Sequence, residues 1–198
     1  MTENEKDLFE AAQSGNINEC KRLVALGTNL NAPNSVSPLM IAAANGQLAC
    51  VEYLAQKSDI AALDQNKMNA IMHASSCTSK SKAVCHEMLR QLFARLSPAQ
   101  HKECCGQQST SNETALYFAI RRECEKCVSI LAPYSDVRHK LPDIEMTLMV
   151  MANGSSPEIF QILESEEERR RAINEAEQFA ADVPMPHTVG NQGKSGRL

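Results

Sequence analysis

A short apolar, alanine-rich pattern recurs five times along this chain of 198 residues. Its clearest copy is Ser37-Pro38-Leu39-Met40-Ile41-Ala42-Ala43-Ala44-Asn45-Gly46, followed by Cys50-Val51-Glu52-Tyr53-Leu54. The same outline begins at Leu8, Ile71, Leu116 and Met149, and with Leu39 these anchors lie 31, 32, 45 and 33 residues apart. Self-similarity at a fixed period near 33 residues is the mark of a solenoid, in which no unit can bury its apolar face alone. Within a unit, Leu39, Ala42 and Ala43 share one helical face, and Gly46 stands where a helix ends in a left-handed residue. Val51 and Leu54, three residues apart, then form the inward face of a second helix. Each unit is therefore read as two short helices packed against the next pair.

Two stretches resemble the ankyrin-repeat family. Ala25-Leu26-Gly27-Thr28-Asn29-Leu30-Asn31-Ala32 is similar to its hairpin signature, and Ser37-Pro38-Leu39 with Ala42-Ala43-x-x-Gly46 is similar to its first-helix run. The resemblance covers roughly residues 5–164. It implies an all-α solenoid of stacked helix-turn-helix units with short hairpin loops, and repeats near 5–32, 33–64, 65–109 (with an insertion), 110–142 and 143–164. The family's histidine after the motif leucine is replaced by Phe9, Met40, Met72, Tyr117 and Val150. Its hydrogen bonding must therefore be absent or supplied by other groups, and the array is divergent.

The third unit is long. Three extra residues fall near Ser75–Ser81, and about ten more follow its second helix. Pro98 and the polar run Gln107–Asn112 read as a surface loop over 97–111. Lengthening such a loop costs little, although insertions in repeat arrays also serve binding. Beyond Leu163, a helix over 165–183 carries Glu166–Arg170 and Glu167–Arg171 in the favourable i,i+4 order. Ile173, Ala176, Phe179 and Ala180 give it an apolar side. It either caps the stack or binds a partner. From 184 to 198 the Pro/Gly-rich polar composition reads as a disordered tail. Gly193-Lys194-Ser195 echoes a phosphate loop but lacks the first glycine and the strand–helix setting that such a loop needs.

Composition removes several function classes. Hydrophobic residues make up 43% of the chain but aromatics only 4%, so the core must be aliphatic. The net charge of −4 carries no basic stripe of the kind that binds nucleic acid. No apolar run suggests a membrane span or a secretory signal. The expected compartment is the cytoplasm, with access to the nucleus left open. There the eight cysteines are read as free thiols. Cys50, Cys85 and Cys127 share one repeat position and Cys20 lies one place away, which marks them as core residues. Cys77, Cys104, Cys105 and Cys124, with the Cys124-Glu125-Lys126-Cys127 spacing, keep open a zinc- or redox-linked alternative on the same scaffold. No catalytic, cofactor-binding or metal residue is assigned, and an enzyme is not expected.

The family resemblance implies a protein partner held on a concave face. Carried over by position, the exposed first-helix residues would be Gln13 and Ser14, Ala44 and Asn45, Ser76 and Cys77, and Arg121 and Arg122. The hairpin tips would present Asn34, Val36, Asn66, Met68, Ser111, Glu113, Ile144 and Met146. The Arg121-Arg122 pair suits an acidic or phosphorylated partner segment, because guanidinium groups grip carboxylate and phosphate bidentately. Met68 and Met146 would add adaptable apolar contact. Protein-binding work as an adaptor, scaffold or inhibitor, by a monomer, is the expectation.

Overall fold

The helices begin where short polar side chains can cap them. Thr2, Ser37, Asn69, Thr114 and Thr147 each accept a hydrogen bond from the backbone N–H three residues on, which satisfies one orphan donor of the helix that follows. These are the first helices of five pairs: α1 (Glu3–Ser14) with α2 (Ile17–Ala25), α3 (Pro38–Ala44) with α4 (Leu48–Leu54), and α5 (Ala70–Ser75) with α6 (Lys82–Phe93). One further helix, α7 (Pro98–Gly106), precedes α8 (Ala115–Arg121) with α9 (Glu125–Leu131) and α10 (Leu148–Ser155) with α11 (Pro157–Asp182). The computed structural model describes residues 2–31, 35–79, 81–141 and 144–182. The expected tail at 184–198 lies outside the described residues.

First helices stack in the order α1, α3, α5, α8, α10, and second helices in the order α2, α4, α6, α9, α11. One apolar core runs through the stack. It includes the anchors Leu8, Leu39, Ile71 and Leu116, and the second-helix residues Leu23, Leu54, Leu89 and Leu131. Alanines Ala11, Ala12, Ala42, Ala43, Ala74 and Ala119 are buried between neighbouring first helices, where their small size permits close approach. Each fully buried Leu or Ile contributes about 1.5–3 kcal/mol of transfer free energy.

The third-repeat insertion departs from the expected loop. Residues 98–106 form α7, started by Ser97 as N-cap, Pro98 in the first turn, and Gln100 returning to the Ser97 N–H at 3.0 Å. His101 on this helix stacks on Phe93, with ring centroids 4.8 Å apart, and its Nε2–H donates to the Phe93 carbonyl at 2.9 Å. Asn69 donates from Nδ2 to the Cys104 carbonyl at 2.9 Å. Cys104 and Cys105 are buried. The insertion is therefore a docked helix that adds to the core, and only 107–114 remain as a turn.

Between the fourth and fifth pairs, β1 (Lys140–Leu141) and β2 (Ile144–Thr147) form a small antiparallel ladder, the non-helical exception among the described residues. The last helix also differs from expectation. The fifth repeat's second helix does not stop near 164 but continues unbroken through Asp182. Arg170 donates to Glu166 at 2.9 Å and to the Ala132 carbonyl at 2.7 Å, and Glu167 accepts from Arg171 at 2.7 Å and from Arg138. From 171 to 178 every side chain is exposed, and Ile173 is 43% accessible. That stretch carries three apolar side chains, Ala172, Ile173 and Ala176; Phe179 and Ala180, the rest of the expected apolar side, lie outside the described side chains. Among the described residues no helix is long and apolar enough to cross a membrane.

Candidate protein-interaction site

The C-terminal carbonyls of a helix have no partner within it, and at the first three junctions carbonyls at or just past the end of a first helix accept a donor from the next repeat. Gln47 Nε2 donates to the Gln13 carbonyl at 2.9 Å. The Thr78 N–H donates to the Ala44 carbonyl at 2.9 Å. One junction further on, Arg122 donates to the Cys77 carbonyl and, at 2.6 Å, to the Ser79 carbonyl. Arg122 is thus half-buried and stitches the fourth repeat to the third, rather than facing outward as the repeat alignment suggested. Cys77, aligned at the same place, is fully buried instead of exposed. Both occupy a position directed at the neighbouring repeat.

Arg121, one residue earlier, is exposed at the end of α8, and its side chain makes no hydrogen bond or ion pair among the described residues. Gln13 holds the equivalent place on α1 and is exposed, while Ala44 and Ser76 are half-buried. Asn45 is half-buried and closes α3, its Nδ2 donating to the Ile41 carbonyl at 2.9 Å. The last turn of the first helices therefore presents Gln13 at one end and a free guanidinium at the fourth repeat.

The hairpin tips are built to one plan. Asp64, buried, accepts from the N–H groups of Asn66 (2.8 Å) and Met68 (2.9 Å), and Ser109 does the same for Ser111 (3.2 Å) and Glu113 (3.1 Å). Lys67 and Asn112 sit at the turn with φ of 57° and 59°, in the left-handed region. Consecutive tips are tied together: the Thr110 N–H donates to the Asn66 carbonyl at 2.9 Å, and Asn112 Nδ2 to the Lys140 carbonyl at 3.0 Å. Asn66 keeps its side chain in solvent, Val36 and Met68 are half-buried against the core, and Glu113 is half-buried and accepts from Ser109 at 3.4 Å. Asn34 lies outside the described residues, and so do the side chains of Ile144 and Met146.

One pairing had no counterpart in the sequence reading. His73 on α5 meets the buried Asp64 of the preceding tip, Nε2 to Oδ2 at 2.9 Å. It supplies a histidine-to-tip hydrogen bond two places after the anchor Ile71. The signal was a histidine on the first helix with an aspartate nine residues before it, at the start of a turn.

Residues 8–100 match the family model for ankyrin repeats in three copies. These are ankyrin repeats. No curated protein matches the chain. Past residue 100, α8–α9 and α10–α11 continue the packing of the ankyrin pairs before them. Ankyrin repeats are generally protein–protein interaction modules. Among the described residues, no three His, Cys, Asp or Glu side chains converge to hold a metal ion.

Proposed function

We propose that this chain is a non-catalytic interaction module, an adaptor, scaffold or inhibitor, that holds an acidic or phosphorylated protein segment across the ends of its first helices. Exposed, unpaired Arg121 carries the reading. A guanidinium with all its donors free is suited to bidentate capture of carboxylate or phosphate. Arg122 does not share the role, because its two terminal nitrogens already serve the third repeat. The opposite end of the stack sets a polarity. Asp7, Glu10 and Glu19 surround an open cavity of about 530 Å³ beside Gln13, where an acidic segment would be repelled. The acidic part of the partner therefore lies at the fourth repeat. The family's ordinary work, binding other proteins, supports the class, and its members are typically non-catalytic. The eight buried cysteines fit the core as small hydrophobes, and action in the cytoplasm as a monomer completes the proposal.

The test is a peptide array of acidic, phosphorylated and neutral segments, probed with the wild type, Arg121→Glu and, as a charge reversal away from the first-helix ends, Lys102→Glu on the exposed side of α7. Acidic or phosphorylated peptides retained by the wild type and Lys102→Glu, and weakened at least about tenfold by Arg121→Glu, are the expected result. Equal retention by all three proteins would overturn the reading. Reversing Arg122 would not be informative, since it removes a bond between repeats.

A further inference from the structure

Two cysteines of the core lie closer to each other than packing alone requires. Cys124 caps the start of α9 and Cys127 lies in its first turn, with their sulfurs 2.7 Å apart. A bonded pair has about 2.05 Å between sulfurs, so a small rotation joins them. Cys20 and Cys50, also buried neighbours, are separated by 3.9 Å. Two cations lie beside the closer pair: Lys82 Nζ donates to the Glu123 carbonyl at 2.7 Å, and Arg122 is anchored next to it. A surface cavity of about 250 Å³, lined by Lys82, Ala83, Glu123, Cys124, Glu125 and Lys126, opens at Cys124. Cys127 contributes no wall to it. Cys124, itself buried, therefore borders an entrance, and Cys127 stands behind it.

We propose that Cys124 and Cys127 form a hydroperoxide-oxidisable dithiol, with Cys124 the reacting sulfur and Cys127 the resolving one. The Cys127 thiol hydrogen-bonds the Cys124 sulfur and holds Cys124 below the usual thiol range, against its burial; Lys82 and Arg122 push the same way. The thiolate is the nucleophilic form. Cys124 attacks one oxygen of the hydroperoxide; an S–O bond forms, the O–O bond breaks, and the other oxygen leaves with a proton as alcohol or water. The sulfur, oxidised by two electrons, is now a sulfenic acid. The Cys127 sulfur then attacks it; the S–S bond forms, the S–O bond breaks, and hydroxide leaves with the Cys127 proton as water. In sum, two thiols and one hydroperoxide give a disulfide, an alcohol and water. Thiol exchange with a small dithiol reverses the change. This site is separate from the peptide-binding reading and does not depend on it.

The folded full-length protein is treated with hydrogen peroxide at neutral pH, blocked with an alkylating agent and digested with trypsin. Cleavage after Arg122 and after Lys126 leaves the two cysteines on separate peptides, held together only by a disulfide. The expected product is this linked pair, forming at least about tenfold faster than Cys20 or Cys50 is lost and disappearing on reduction. In Cys127→Ser, Cys124 is expected instead to be trapped as a dimedone adduct of the sulfenic acid. The proposal is overturned if both cysteines stay alkylatable while other thiols oxidise. It is equally overturned if the linked pair forms only at the rate of the other buried cysteines. The wild-type measurement decides the question even where the variant fails to fold.

Discussion

At the residue scale, the turn between α8 and α9 holds a position that glycine fills elsewhere. Gly15 and Gly46, each seven residues after its anchor, have φ of 80° and 74°. Glu123 has the same offset from Leu116 and a φ of 53°. A side chain in the left-handed region costs about 1–2 kcal/mol, while glycine gives back about 0.5–1 kcal/mol in backbone entropy. Glu123→Gly is therefore expected to stabilise the fold by roughly 0.5–1 kcal/mol, raising Tm by about 2–3 °C in a thermal melt. A lower Tm would contradict the assignment. The reverse change at Gly46 is worse than backbone strain alone, because a Cβ there would stand 2.8 Å from Ser79 Cβ and 3.3 Å from Cys77 Sγ. Gly46→Ala is expected to lower Tm.

Glu166 gives the residue scale its pH dependence. It is 8% exposed and accepts from Arg169 and Arg170, which hold its carboxyl below the ordinary value, Arg169 most strongly. A depressed carboxylate contributes stability that is complete above its unfolded pKa, near 4.3, and is lost as pH falls through the folded value. Glu166→Gln is expected to cost about 1.5–3 kcal/mol at pH 7. Denaturant titrations of the two proteins should converge as the pH drops below about 4. A gap that persists undiminished at low pH would show that the loss is one of packing rather than charge.

At the element scale, α11 divides into a pinned half and a free half. The bonds from Arg170 to the Ala132 carbonyl and from Arg138 to Glu167 hold its first half to the fourth repeat, and 171–178 touch little. A stop after Arg171 is expected to leave Tm within about 1–2 °C, and a stop after Glu164 to lower it by several degrees. Equal losses from both truncations would mean that the outer half is packed after all. Much of the element plan was legible from residues. The period of the anchors located five helix pairs, and the i,i+4 glutamate–arginine pairs of α11 were visible in order. The helix α7 was missed although Ser97, Pro98 and Gln100 spell a helix start, because the polar run after it read as one long loop. Cys77 and Arg122 were misplaced because alignment fixes a residue's position along a helix. It does not fix which neighbouring carbonyl lies within reach.

At the scale of the whole molecule, each pair borrows bonds and apolar cover from the next, so stability is a sum over junctions rather than a property of one core. The borrowed donors differ across the first three junctions: glutamine at the first, threonine at the second and arginine at the third. This is how a chain without the family's usual histidine beside the anchor keeps its stack. It also leaves Arg121, rather than an arginine pair, exposed for the proposed partner. The most direct test of that assignment is hydrogen exchange, comparing the free protein with the protein saturated by an acidic or phosphorylated peptide that binds it. Slower exchange at residues 109–122 and at the 64–68 tip, with α4 and α6 unchanged, is the predicted footprint. Protection confined to α4, α6 or the outer half of α11 would contradict a site on the ends of the first helices.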